Sequence, residues 1–67
     1  MPTSKELLRF LTRQGYKRMR QTGSHLILSH PVRALLVIPM HSRDLPTGLF
    51  LKILKDAGFT RKDFYGE

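Results

Sequence analysis

The feature that most restricts the fold of this chain is a turn predicted at Thr22-Gly23, between two short segments of strand-like composition. Glycine takes positive φ without steric cost, so this dipeptide indicates a tight hairpin turn. We expect strand one over residues 16–21 and strand two over residues 26–29. The predicted hairpin places a β-sheet at the centre of the fold and His25 at the opening of the second strand.

The register of this hairpin determines which side chains share a face. If Thr22-Gly23 is a two-residue turn, Arg20 lies directly opposite His25 across the ladder. A three-residue turn would shift every cross-strand pair by one residue, but His25 would still lie on the face opposite Leu26 and Leu28 of its own strand. The two-residue turn predicts a core face and an open basic face: Met19, Leu26 and Leu28 on the first, and Arg18, Arg20, His25 and Ile27 on the second.

The segment before the hairpin has the pattern of an amphipathic helix. Thr3 and Glu6 are spaced as a capping box, and apolar residues follow at helical intervals. Gly15 is the expected left-handed stop. We therefore predict a helix over residues 4–14 whose leucines lie in the core.

The segment after the hairpin predicts a third strand and further helix. The run 34–38 (ALLVI) is apolar without alternation, which is typical of a strand covered on both faces. Asp44 is expected to cap a second helix that has Pro46 in its first turn and ends at Gly58. Residues 60–63 form another capping-box pattern, which predicts a short final helical turn that packs Phe64 onto the core.

The resulting order α-β-β-β-α predicts the α+β fold of the double-stranded-RNA-binding domain, with two helices on one face of a three-stranded antiparallel sheet. At 67 residues the chain is long enough for one small domain, spanning 1–67. Because a single helical layer covers only one sheet face, the apolar third strand predicts that a partner covers the other face.

The charge balance favours a polyanionic partner. Twelve Lys and Arg against five Asp and Glu give a formal net charge of +7. Neutralising phosphates releases condensed counterions, so nucleic acid is favoured over a membrane surface, for which the first helix is short and its apolar face is needed in the core. The absence of cysteine and of a signal-peptide pattern predicts a cytoplasmic protein without disulfides.

His25 is the candidate catalytic residue because imidazole can both take and give protons near neutral pH. Arg18 and Arg20 have guanidinium groups that match phosphate geometry and are predicted to stabilise a charged transition state. Lys17 is expected to hold the flanking backbone, with Gly23 and Ser24 contributing at the turn. These residues together are the predicted RNA-binding site.

The two other histidines have different predicted roles. His30, beside Pro31, is expected to be a turn residue. His41 follows a strand exit and is expected to be structural, with a second catalytic role as the alternative. Five residues separate His25 from His30, which puts them on opposite strand faces and argues against a metal site. We predict that the chemistry at His25 needs neither a metal nor a cofactor.

Several motifs at matching distances resemble the HicA (YcfA-like) toxin family. The resemblance covers nearly the whole chain and rests on residues 20–25 (RQTGSH), 37–42 (VIPMHS) and 53–58 (ILKDAG), with Pro31, Gly48 and Phe64. It implies an mRNA interferase of a type II toxin-antitoxin pair, neutralised by a HicB-like antitoxin, with the histidine of Gly-Ser-His as the catalytic residue. That role corresponds to His25.

Two other classes of function remain open on the sequence. A non-catalytic double-stranded-RNA-binding module would bind RNA without cleaving it, and a protein-binding adaptor would have negligible affinity for RNA at physiological salt. The sequence indicates neither the RNA preference nor the oligomeric state.

Overall fold

The computed structural model describes residues 2–40 and 44–66. Its elements are α1 (Ser4–Arg13), β1 (Lys17–Thr22), β2 (His25–Ser29), β3 (Leu36–Pro39), α2 (Thr47–Ala57) and α3 (Arg61–Tyr65). The strands form one antiparallel sheet in the order β1-β2-β3. The predicted α+β class and element order are confirmed. None of the helices in the described ranges has the length and apolar character needed to cross a membrane.

The predicted capping box starts α1. The Thr3 hydroxyl accepts a hydrogen bond from the Glu6 amide at 3.1 Å, and the Glu6 carboxylate accepts one from the Thr3 amide at 3.1 Å. Inside the first turn, the buried Ser4 hydroxyl donates to the Pro39 carbonyl at 2.5 Å. This bond ties the beginning of α1 to the end of β3, so the helix crosses the sheet at a defined place.

The core lies between the helices and one face of strands β2 and β3. Leu26, Leu28, Leu36 and Ile38 supply the sheet side, and apolar residues of α1 and α2 supply the other. All residues of β1 are exposed. The helical layer therefore leaves β1 as an open edge strand, and its side chains are accessible from both faces of the sheet.

The beginning of α2 differs from the sequence expectation. The helix begins at Thr47, and Pro46 occupies the N-cap position with extended backbone and no side-chain cap bond. Asp44 is therefore not the N-cap residue, and it forms an isolated antiparallel bridge with Thr3. Proline fixes φ and disfavours a helical residue before it, so the helix starts only after Pro46.

The last helix packs onto the core through aromatic rings. The Thr60 hydroxyl accepts from the Asp63 amide, which confirms the second capping box. Phe64 then lies with its ring centroid 5.3 Å from that of Phe10 and 4.9 Å from that of Phe50, both in edge-to-face geometry. Phe64 of α3 thus contacts both α1 and α2, and its predicted packing onto the core is confirmed.

Two side chains anchor the loop between β2 and β3 to the helices. His30 accepts the Val32 amide at Nδ1, so Nε2 carries the proton and donates to the Gln14 carbonyl at 2.9 Å. Arg33 donates to the Ala57 carbonyl at 2.9 Å and lies 4.2 Å from the centroid of the Phe59 ring. The loop thus donates hydrogen bonds to carbonyls at the C-terminal ends of α1 and α2, and the positive charge of Arg33 is favourable at the end of α2.

The third strand is shorter and more open than its composition indicates. It covers Leu36–Pro39, with Leu36 and Ile38 buried and Val37 50% exposed. Leu35, predicted to lie in the strand, precedes it and is also exposed. The expected cover on the second face is therefore not supplied by the described part of the chain.

Gly15 is a position where substitution should lower stability for two independent reasons. Its φ is +99°, and a Cβ there would lie 3.0 Å from Nε2 of His30. We expect Gly15→Ala to lower the free energy of unfolding by about 1–2 kcal/mol, the cost of left-handed backbone for an L-residue. Urea denaturation measures this. Gly48→Ala is the matched control, since Gly48 lies in α2 with open space around it and should leave stability unchanged or slightly raised.

Tyr16 should make the fold sensitive to alkaline pH. Its buried hydroxyl donates to the Ala34 carbonyl at 2.8 Å, and burial raises its pKa, opposed by the positive charge of Arg33. Because the folded-state pKa is raised, the unfolded chain loses this proton first, and stability falls as pH rises above about 10. We expect Tyr16→Phe to lose about 1 kcal/mol at neutral pH and to show a shallower alkaline decline. Tyr65→Phe, at an exposed position, should retain the wild-type decline; equal alkaline slopes for both variants would contradict this account.

Candidate functional site at the hairpin tip

The hairpin turn consists of Gly23 and Ser24, one residue later than predicted. Thr22 pairs with His25, so both belong to the strands. Gly23 has a φ of +60° and no other residue of the turn is left-handed, which is the pattern of a type II′ turn with glycine at its first central position. Arg20 consequently lies opposite Ile27, and the predicted direct pair of Arg20 with His25 is wrong.

A β-bulge at Met19 separates the two arginines. Arg18 pairs with Leu28 and Arg20 pairs with Ile27, so Met19 is an extra residue without a counterpart. Met19 is 57% exposed and does not join the core as predicted. Since Leu28 belongs to the buried face and Ile27 to the opposite one, Arg18 lies on the helix side of the sheet and Arg20 on the open side. The predicted grouping of Arg18 with His25 on one face is also wrong.

His25 lies exposed on the open face, at the end of the sheet that carries the turn. It pairs with Thr22 on one side and with Pro39 on the other. Arg20 is its diagonal neighbour across the ladder, with roughly 7–8 Å between the backbone positions of the two residues. Within the described part of the chain the imidazole makes no hydrogen bond, so both ring nitrogens can reach a bound molecule.

The other predicted binding residues differ in their distance from His25. Lys17 pairs with Ser29, on the same face but four residues along β2, or roughly 13 Å away. Gly23 and Ser24 are adjacent to His25, and the Ser24 carbonyl accepts the Met40 amide at 2.6 Å. This last bond holds the turn against the segment that leaves β3.

Arg18 belongs to a groove on the helix side of the sheet. The groove has a volume of about 450 Å³. Its lining comes from α1, from β1 and from the segment after β3: Lys5, Leu8, Arg9, Thr12, Arg13, Arg18 and Met40. Of these lining residues, the sequence predicted only Arg18 as part of a binding site. The four-residue spacing of Lys5, Arg9 and Arg13 on a predicted helix was the signal that could have identified this stripe.

His30 does not join His25. His30 is a turn residue, as predicted, and both its ring nitrogens are engaged in the loop contacts described above. His41 lies outside the described residues, so its alternative catalytic role stays a prediction. No group of three or more His, Asp or Glu side chains within residues 2–40 and 44–66 is arranged to hold a metal ion.

The open face thus combines one proton-transfer group with one nearby cation. His25 can exchange a proton with a molecule at the hairpin tip, and the Arg20 guanidinium can accompany an anionic group there. No carboxylate of the described residues is placed by the sheet register beside this pair. The arrangement suits a negatively charged ligand.

No curated protein sequence matches the chain significantly. A family model described as the HicA toxin of bacterial toxin-antitoxin systems matches residues 4–59, from the first residue of α1 to just before α3. The match includes the whole sheet and the Gly23-Ser24-His25 turn. The chain therefore belongs to the HicA toxin family of bacterial toxin-antitoxin systems.

Proposed function

We propose that this HicA-family toxin is an endoribonuclease that cleaves mRNA with His25 as its proton-transfer residue and that a HicB-like antitoxin neutralises it. The observation that carries the proposal is the exposed imidazole of His25 at the hairpin tip, which makes no hydrogen bond to the described residues and has Arg20 as its diagonal neighbour. Family membership supports the toxin role and an antitoxin partner.

RNA supplies its own nucleophile, so the protein needs only to move protons and stabilise charge. The ribose 2′-oxygen attacks the adjacent phosphorus, the bond from phosphorus to the 5′-oxygen breaks, and a cyclic phosphate and a 5′-hydroxyl result. His25 either removes the proton from the 2′-hydroxyl or donates one to the leaving 5′-oxygen, and water serves the other transfer. General acid-base catalysis of this kind typically contributes about 10²–10⁴-fold.

Arg20 is the cation best placed for the scissile phosphate. Its guanidinium can donate two hydrogen bonds to phosphate oxygens and favours the additional negative charge of the transition state. Lys17, farther along the same face, would contact a flanking phosphate. The amides of Gly23 and Ser24 lie at the turn beside His25 and can orient the RNA strand there.

An alternative is a non-catalytic module that binds double-stranded RNA, which shares this α-β-β-β-α fold. Such modules read duplex shape over about 16 base pairs through spaced basic elements. The two functions are separated by incubating the protein with labelled single-stranded RNA and EDTA. Cleavage supports the metal-independent ribonuclease, and binding without cleavage supports the module.

The open face is also the proposed antitoxin surface. Beside His25 it carries Ile27, partly exposed, and Val37, 50% exposed, which are paired across β2 and β3. Leu35, 58% exposed, precedes Val37 by two residues. An antitoxin that covers this apolar patch would cover His25 as well, so one interface would bury apolar area and close the catalytic site.

His25→Ala should abolish RNA cleavage and growth inhibition while leaving the fold intact. Alanine cannot transfer a proton, and truncation at an exposed position should change stability by no more than about 0.5 kcal/mol. Expression without antitoxin, cleavage of labelled RNA and thermal unfolding measure the three effects. His30→Ala is the matched control: it should lower the melting temperature and retain cleavage per folded molecule. Cleavage of RNA by a folded His25→Ala protein would contradict the proposed mechanism.

Val37→Asp should weaken antitoxin binding without unfolding the toxin. A carboxylate in the centre of the apolar patch cannot be buried without a partner, so we expect a loss of affinity of tenfold or more, or about 1.4 kcal/mol. Calorimetric titration with the purified antitoxin measures this. Leu51→Asp, on α2 and 37% exposed, is the control and should bind as wild type. Equal affinities for both variants would place the antitoxin elsewhere.

A further inference from the structure

The groove on the helix side of the sheet brings together four cations from two elements. Lys5, Arg9 and Arg13 follow one another at four-residue intervals along α1, and Arg18 enters from β1 because of the bulge at Met19. Four helical residues rise about 6 Å, so the three α1 cations form an evenly spaced row. Successive phosphates of an extended nucleic-acid strand are separated by a similar distance.

These cations do not stabilise the fold through pairing. Among the described residues, none of the four makes an ion pair or a side-chain hydrogen bond. The only acidic residue of α1, Glu6, is occupied in the capping box with Thr3. Like charges four residues apart on a helix are mutually unfavourable. The row therefore costs some stability in the free protein, and an anionic ligand would remove that cost.

The groove leads to the hairpin tip. Met40 lines it, and the Met40 amide donates to the Ser24 carbonyl, directly before His25. The apolar part of the lining consists of Leu8, only 9% exposed, and the partly buried Met40. A bound strand could thus place phosphates along the cations and a base or ribose against the apolar part, and then pass over the end of the sheet to His25.

We propose that this groove binds the sugar-phosphate backbone of single-stranded RNA on one side of the cleaved bond, an inference that rests on the proposed ribonuclease function. Its volume, about 450 Å³, is in the range of nucleotide-sized ligand sites. The described part of the lining has four cations and no acidic or aromatic side chain, which favours a phosphate backbone, since neutralising phosphates releases condensed counterions. A concave groove between a helix and an edge strand admits one strand rather than a duplex.

The test compares two double variants that carry the same charge change. Arg9→Gln with Arg13→Gln alters the groove, and Arg61→Gln with Lys62→Gln alters α3, away from it. Each pair lowers the formal net charge from +7 by two. Affinity for a labelled 2′-O-methyl RNA oligonucleotide, which lacks a free nucleophile, is measured over a salt series, and cleavage of the matching RNA is measured in parallel. Circular dichroism and thermal unfolding check that all proteins are folded.

We expect the groove pair to lower the slope of log affinity against log salt by about 1.4, since each lost single-strand contact is worth about 0.7. It should also raise KM for RNA cleavage much more than it lowers kcat, while the α3 pair stays close to wild type in both assays. That combination supports the groove as an RNA track.

Three outcomes overturn the inference. If wild type cleaves RNA and the two pairs behave alike, the groove is not an RNA site, and the ribonuclease proposal stands. If the groove pair binds RNA as the α3 pair does but loses affinity for the purified antitoxin, the groove holds an acidic protein segment. If wild type neither binds nor cleaves RNA, the ribonuclease proposal fails and the groove proposal fails with it.

Discussion

The hairpin register is the constraint on which the arrangement of this molecule depends. Side chains of a strand alternate between faces, so a shift of one residue exchanges the two sets. Gly23, with its positive φ, places the turn at Gly23-Ser24, and the bulge at Met19 inserts one more residue farther along β1. The first feature puts Arg20 on the open face near His25. The second sends Arg18 to the helix side.

Stability and the proposed chemistry reside in different parts of the same small sheet. Strands β2 and β3 bury one face under the helices, and His30 and Arg33 bind the connecting loop to the ends of α1 and α2. β1 contributes no buried residue. An exposed edge strand can carry cations on both faces without the desolvation that burial of charge would cost. It is therefore free to present a basic surface for an anionic ligand.

The open face has properties that suit a toxin controlled by a protein partner. It combines His25 and Arg20 with exposed apolar side chains on β3. Small domains bury a limited fraction of their surface, and an uncovered apolar patch of this kind offers area to a partner. In our proposal the antitoxin uses the apolar part of the face and thereby excludes RNA from the polar part. The groove under Arg18 lies on the other side of the sheet and is separate from that interface.

Local patterns in the sequence determined the elements and the chemical identity of the candidate site. Capping boxes at Thr3 and Thr60 depend on neighbours three residues away, and a glycine stop such as Gly15 depends on its own backbone conformation, so each could be predicted from a few adjacent residues. His25 was identified in the same way. Its chemistry is a property of the imidazole itself, and the turn beside it is indicated by Gly23, two residues earlier. The family motifs around it belong to the same local information.

Only the tertiary structure decided which of these residues share a face. The bulge at Met19 has no glycine or proline to mark it, and it arises from pairing between strands rather than from local preference. Asp44 is not the N-cap of α2, and it pairs with Thr3, a contact remote in sequence. Val37 is exposed because the helical layer covers only the other face of the sheet, and the amino-acid composition of the strand does not indicate how far that layer extends. Local hydrogen bonds specify the elements, whereas register and cover depend on long-range packing.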